Sequence, residues 1–168
     1  MPNPNLNLKP GECVGVVFKQ GNVWMVHDGV LNTPIANGNN PPKTVSIVHY
    51  VVNQTNGHLV RQSNRTLKNV KQVLRTPSNP TFALKCPKTT HPNLHVGDCV
   101  VVKIKVPKTK TTPSGYDAKN GVLACSLQNR LHPMGKVWIN HWKIISPSSP
   151  RVFLVTTRYP NAQFVRKA

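Results

Sequence analysis

The chain has 168 residues, 22 of them Lys or Arg against four Asp or Glu, for a formal net charge of +18. Its length fits one domain or two small ones, and 38% hydrophobic residues with 16 Pro and 10 Gly argue for a turn-rich globular protein over a helical bundle or a disordered chain. No apolar run reaches 18 residues, which leaves no helical membrane span, and the excess of cations makes a polyanion the first expected partner and a membrane none.

The N-terminal stretch "MPNPNLNLKPGE" has neither the charged start nor the apolar core of a signal peptide. The expected location is therefore cytoplasmic or nuclear rather than secreted, with the four cysteines as thiols. Short segments rich in Val and Ile, cut by Gly, Pro and Asn, predict strands near 12–19, 22–27, 44–52 and 58–62. "SNRTLKNVKQVLRTP" at 63–77 predicts the one helix. Ser63 or Asn64 can cap it, Pro77 stops it, and Leu67, Val70 and Leu74 fall on one side. Further strands are predicted near 81–85, 97–106, 120–127, 136–145 and 151–157.

"NLKPGECVGVVFK" at 7–19 returns as "NLHVGDCVVVKIK" at 93–105, "GNVWMVH" at 21–27 as "GKVWINH" at 135–141, and "TVSIVHYV" at 44–51 is echoed by "RVFLVTTR" at 151–158. Blocks recurring in the same order indicate duplication, with Cys13/Cys99, Trp24/Trp138 and His27/His141 as equivalent pairs. The expected architecture is mostly β. Two related small antiparallel barrels or curled sheets of OB or SH3-like type would occupy 1–60 and 91–168, the second with an inserted loop 107–134. A basic helix and linker, 61–90, would join them; a single sandwich is the alternative.

The cations are organised. On a helix Arg61, Arg65, Lys68 and Arg75 would share a face, with Lys71 in the same stretch. Strand alternation puts Lys103 and Lys105 opposite Val100, Val102, Ile104 and Val106, and Lys108 and Lys110 carry the stripe into a loop. Tyr116, and Trp142 beside Lys143, are the candidate stacking platforms, while Trp24 and Trp138 sit at core-like strand positions. With aromatics at only 6%, binding led by phosphates and weak in sequence preference is expected, with RNA the favoured ligand, as in a small viral RNA-sequestering or packaging protein. A capsid or nucleocapsid protein is the structural alternative.

Two further readings compete. Cys86, His91, His95 and Cys99 have the ligand types of a tetrahedral zinc site, although the spacing departs from the common C-x2-C arrangements, so the expectation is no cofactor, with zinc as the exception. "GNVWMVHDGVL" resembles the histidine-bearing strand of chymotrypsin-like viral proteases, which implies a double β-barrel cysteine or serine protease or an inactive relative. Cys125 in "GVLACSLQN" lacks the glycine turn that builds that family's oxyanion hole, so no catalytic residue is assigned. "HVGDCVVVKI" and "KVWINHWKI" are similar to two strands of the C-terminal SH3-like domain of retroviral integrases, a likeness that implies a non-catalytic DNA-binding module.

Overall fold

A computed structural model describes residues 5–86, 93–127 and 135–168. Among them every regular element is a strand: β1 (Leu6–Leu8), β2 (Cys13–Gln20), β3 (Val23–Leu31), β4 (Ile35–Asn37), β5 (Thr44–Val52), β6 (Leu59–Lys68), β7 (Val70–Arg75), β8 (Cys99–Lys105), β9 (Tyr116–Leu123), β10 (Gly135–Ser146) and β11 (Ser149–Lys167). The protein is mostly β, as its composition predicts. The first unit is a five-stranded sheet in the order β6-β5-β3-β2-β7, and β8 to β11 close into a four-stranded antiparallel barrel. A two-stranded ribbon, β1-β4, lays Leu8 and Ile35 into the first core.

The expected basic helix is absent, and residues 59–75 are the strands β6 and β7 of the first sheet rather than a linker. The helix-like spacing has a local cause. Asn69 takes a left-handed conformation (φ 56°) between the two strands, and pairing with β2 slips between Val17 and Phe18, leaving Lys71 as an extra residue. Each irregularity adds one residue to a period of two, so the inward side chains Leu67, Val70 and Val73 are spaced by three. The stretch 81–85 predicted as a strand carries no strand pairing, and 107–134, expected to be an inserted loop, contains barrel strand β9.

The two units match strand for strand, in a different register from the one the sequence suggests. The hairpin β2-β3 matches β8-β9, and β5-β6 matches the first part of β10-β11. Gly11 N–H donates to the Leu31 carbonyl as Gly97 N–H does to Leu123, both at 2.9 Å. Glu12 pairs with Arg75 as Asp98 pairs with Lys167. Val30 faces Val48 where Val122 faces Asn140, and Leu31 faces Ile47 where Leu123 faces Ile139. The structural counterpart of His141 is therefore His49, within "VSIVHY" and "VWINHW", not His27. The cores correspond likewise: Val14, Val16 and Phe18 to Val100, Val102 and Ile104; Val45 and Ile47 to Val137 and Ile139; Leu8 to Leu94; Val73 to Val165.

The two units meet through equivalent edges. Cys13 and Cys99, one from each copy, form a disulfide with Cα atoms 5.6 Å apart. Asn120 accepts from Tyr50 N–H and donates to the Tyr50 carbonyl, both at 3.0 Å, while at the related position Asp28 accepts from Trp142 N–H at 3.0 Å. Trp142 packs flat on Gly15, where any Cβ would collide with the indole, and its Nε1–H donates to Thr76 at 3.0 Å. The segment after β7 crosses the outside of the barrel. Asn140 donates to the Pro77 and Asn79 carbonyls, Phe82 meets Trp138 edge-on, and Cys86 bonds to Cys125 with Cα atoms 5.4 Å apart. The expectation of four thiols is thus corrected: all four sulfurs are paired.

Candidate nucleic-acid interface

Basic side chains converge on a cleft where the tip of the β5-β6 hairpin approaches the barrel. Its lining is His58, Leu59, Lys103, Tyr116, Gln163 and Arg166, around a volume of about 410 Å³. Strand alternation forces the placement, because Val100, Val102 and Ile104 fill the barrel and turn Lys103 and Lys105 outward. Lys103 Nζ lies 4.3 Å from the centroid of the Tyr116 ring, and the Arg166 guanidinium 5.2 Å from that of Tyr50. Both cations are held over ring faces, which orients them without neutralising them. Lys105 is the cross-strand neighbour of Tyr116, and Arg61 that of Tyr50. Lys108 folds against Gly115, and Gln54 accepts from Ser114 Oγ at 2.6 Å, tying the hairpin tip to the loop before β9. Among the described residues the three ion pairs take up Arg75, Lys119 and Lys167, so none of these five cations is consumed by an acid there.

Next to the cleft along β9 lies a groove of about 460 Å³ between the units. Tyr116 lines the cleft while Ala118 and Asn120 line the groove, so one strand runs past both. The groove holds His27, His49 and His141. Their rings are fixed: His27 stacks at 5.1 Å on Phe18 and meets His49 edge-on at 6.0 Å, His49 Nε2 is 2.6 Å from Gln62 Oε1, and His141 Nε2 is 2.7 Å from Thr157 Oγ1. Burial, then the nearby Arg65 charge, pushes the His27 imidazole down to about 4, and burial lowers His49 and His141 as well. Burial raises the Asp28 carboxyl to about 8, opposed by the hydrogen bond from Trp142.

The residues singled out in the sequence do not share one site. Lys103 and Tyr116 line the cleft, with Lys105 paired across the strands to Tyr116, Arg61 to Tyr50, and Lys108 beside Gly115; Lys143 and Trp142 line the groove, although the Trp142 indole is spent on Gly15 and Thr76 and offers no free stacking platform. Arg65 lies beside the histidines and Lys110 in the exposed turn after β8. Lys68 and Lys71 are exposed around the Asn69 kink, and Arg75 is bound to Glu12, so the single basic face expected of a helix does not form. Cys86 and Cys99 belong to different disulfides, which takes both sulfurs out of the proposed zinc tetrad; His95 is exposed and His91 lies outside the described residues. Cys125, buried and bonded to Cys86, presents no thiol for a nucleophile's role.

Arg166, His58, Tyr50 and Lys119 were not singled out. Arg166 and Tyr50 sit on strands whose pairing partners are far away in sequence, so only the register brings them to Lys103; the V-x-I-x-H-aromatic repeat could have flagged Tyr50 as the partner of Trp142. Comparison with protein-family models, curated proteins and solved structures found no match to this chain.

Proposed function

We propose that the protein is a tandem of two SH3-like β units that binds nucleic acid, RNA in preference, through its phosphates, and that the cleft between hairpin β5-β6 and the barrel is the primary contact. The strand order supports the SH3-like reading: in the first sheet β2, β3, β5 and β6 pair in turn and a fifth strand, β7, returns to β2, while in the four-stranded barrel the end of the long β11 makes the same return onto β8. The observation that carries the functional reading is the meeting of Lys103 and Arg166 in one cleft whose lining holds no acid, with Arg61 and Lys105 on strand positions paired to Tyr50 and Tyr116 and Lys108 beside Gly115. Five phosphate contacts to a single strand give a log–log salt slope of about −3.5, at about 0.7 per contact. Few rings are open for base stacking, which fits weak sequence preference.

The test is fluorescence anisotropy on single- and double-stranded RNA and DNA oligonucleotides across a salt series. A slope near −3 to −4 and affinities within about tenfold across sequences are expected. Affinity flat with salt overturns the reading, as does equal binding of an acidic peptide of the same charge.

A further inference from the structure

We infer that the groove between the two units is a second phosphate seat, which takes up one phosphodiester of a bound strand together with a proton on its histidines. The inference rests on the nucleic-acid reading above and gives it a pH dependence that the cleft alone would not produce.

The geometry comes first. Two of the three histidines, His49 and His141, occupy the same position in the two copies and are brought by the pseudo-symmetric docking into one groove, joined there by His27 from β3. Their hydrogen-bond partners are neutral, Gln62 for His49 and Thr157 and the Trp142 backbone for His141, and among the described residues no carboxylate holds any of the three. That differs from a structural histidine fixed by an acid. An anion entering the groove would supply the missing negative charge.

The surrounding charges favour an anion. From β9 comes Lys119, paired with Asp117 at 3.2 Å, and from β10 Lys143, which is exposed. Arg65 on β6 acts on both His27 and His49, and Lys19 on β2 lies 5.4 Å from the centre of the Trp24 ring at the groove's end. The acids facing this space are Asp28, turned to Trp142 N–H and kept protonated by burial, and Asp117, occupied by Lys119. Tyr159 of β11 stays a neutral phenol, its hydroxyl pushed up to about 12 chiefly by burial. In the free protein the same cations and burial keep the histidines neutral; a phosphate placed among them reverses the sign of the local potential and lifts their proton affinity. At roughly 3.3 Å per residue along β9, the seat lies about 10 Å from the cleft, within reach of neighbouring phosphates of one strand.

A thymidine decanucleotide without terminal phosphates is the probe, since neither its phosphodiesters nor its bases titrate between pH 5 and 8. A histidine that titrates near 4 when free and about two and a half units higher when liganded raises affinity about tenfold from pH 7.5 to 5.5. Wild-type protein should show at least that rise, and calorimetry in two buffers of different ionisation enthalpy should show about one proton taken up at pH 5.5. His27→Gln/His49→Gln/His141→Gln should bind with the same affinity at pH 5.5 as at pH 7.5, having lost the rise. Lys103→Ala/Arg166→Ala should weaken binding at both pH values and keep the ratio. Affinity independent of pH without proton uptake overturns the seat, as does a rise that survives in the histidine variant. If the strand binds at neither pH, the cleft reading fails and the groove is judged by NMR of the wild-type imidazoles with sulfate: raised histidine titration midpoints support it, and unmoved ones overturn it.

Discussion

The two units have matching cores and differ at the surfaces they turn to each other and to solvent. Where the barrel has Lys103 and Arg166, the first sheet has Val17 and Leu74, both buried. Where the first sheet has Tyr50, set under Arg166, the barrel has Trp142, packed on Gly15. The same structural site is thus a cationic cleft on one side of the pseudo-two-fold and a filled apolar contact on the other. The matched units have two equivalent positions; the sequence uses one to hold the molecule together and leaves the other open. Asp28 and Asn120 show the same division, a carboxyl and an amide in equivalent contacts across the interface.

That comparison can be broken most forcefully at the bond between the copies. Replacing Cys13 and Cys99 with Ser opens a loop spanning 86 positions and should cost about 4 kcal/mol in chemical denaturation, with two mass units per disulfide distinguishing the oxidised wild-type protein from its reduced form. A loss below about 1 kcal/mol would mean that the units hold each other without it. Next is Gly15→Ala, which forces the Trp142 indole off the β2 backbone and should destabilise by about 3 kcal/mol, while Val101→Ala at the equivalent place leaves a small cavity and should cost less, about 1–2 kcal/mol. Equal losses would remove the asymmetry argued for the two sites.

The smallest effect sharpens the comparison by pH. Asp28 keeps its proton up to about 8 in the folded protein and releases it near 3.8 when unfolded, so its contribution to stability is fully present below about 4 and is lost as pH rises towards 8. Asp28→Asn copies the Asn120 solution and has no such loss. The variant should match wild type near pH 4 and exceed it by at least about 1 kcal/mol at pH 9, read from denaturation midpoints at the two pH values. A constant difference would place the Asp28 carboxylate in water.

Much of the fold was legible because alternating Val and Ile must line a core: β2, β5, β8 and β10 lie within a few residues of their predicted bounds. The helix was misread because the left-handed Asn69 and the bulge at Lys71 imitate a helical period, an effect of tertiary pairing with β2 that no local window contains. The correspondence of the hairpins β2-β3 and β8-β9 was legible from "GECV" and "GDCV", but the shared "GNVW" and "GKVW" pulled the register onto β3, whereas the later match of "VSIVHY" to "VWINHW" follows the hydrogen bonds. The disulfides escaped because Cys13 and Cys99 are neighbours only after the two units dock. Lys103, Lys105 and Lys108 could be read from strand alternation alone; Arg166 could not, since its place over Tyr50 depends on the register of β11 on β8 and on contact between units.

The central claim is that one cleft, not charge spread over the whole surface, grips the polyanion. Lys103→Ala/Arg166→Ala and Lys68→Ala/Lys71→Ala remove the same charge from the cleft and from the exposed Asn69 kink, and their affinities for a single-stranded RNA at about 100 mM salt decide between the two. The account predicts a loss of tenfold or more for the cleft pair, with a salt slope shallower by about 1.4, and less than threefold for the kink pair. Equal losses in the two variants would contradict it.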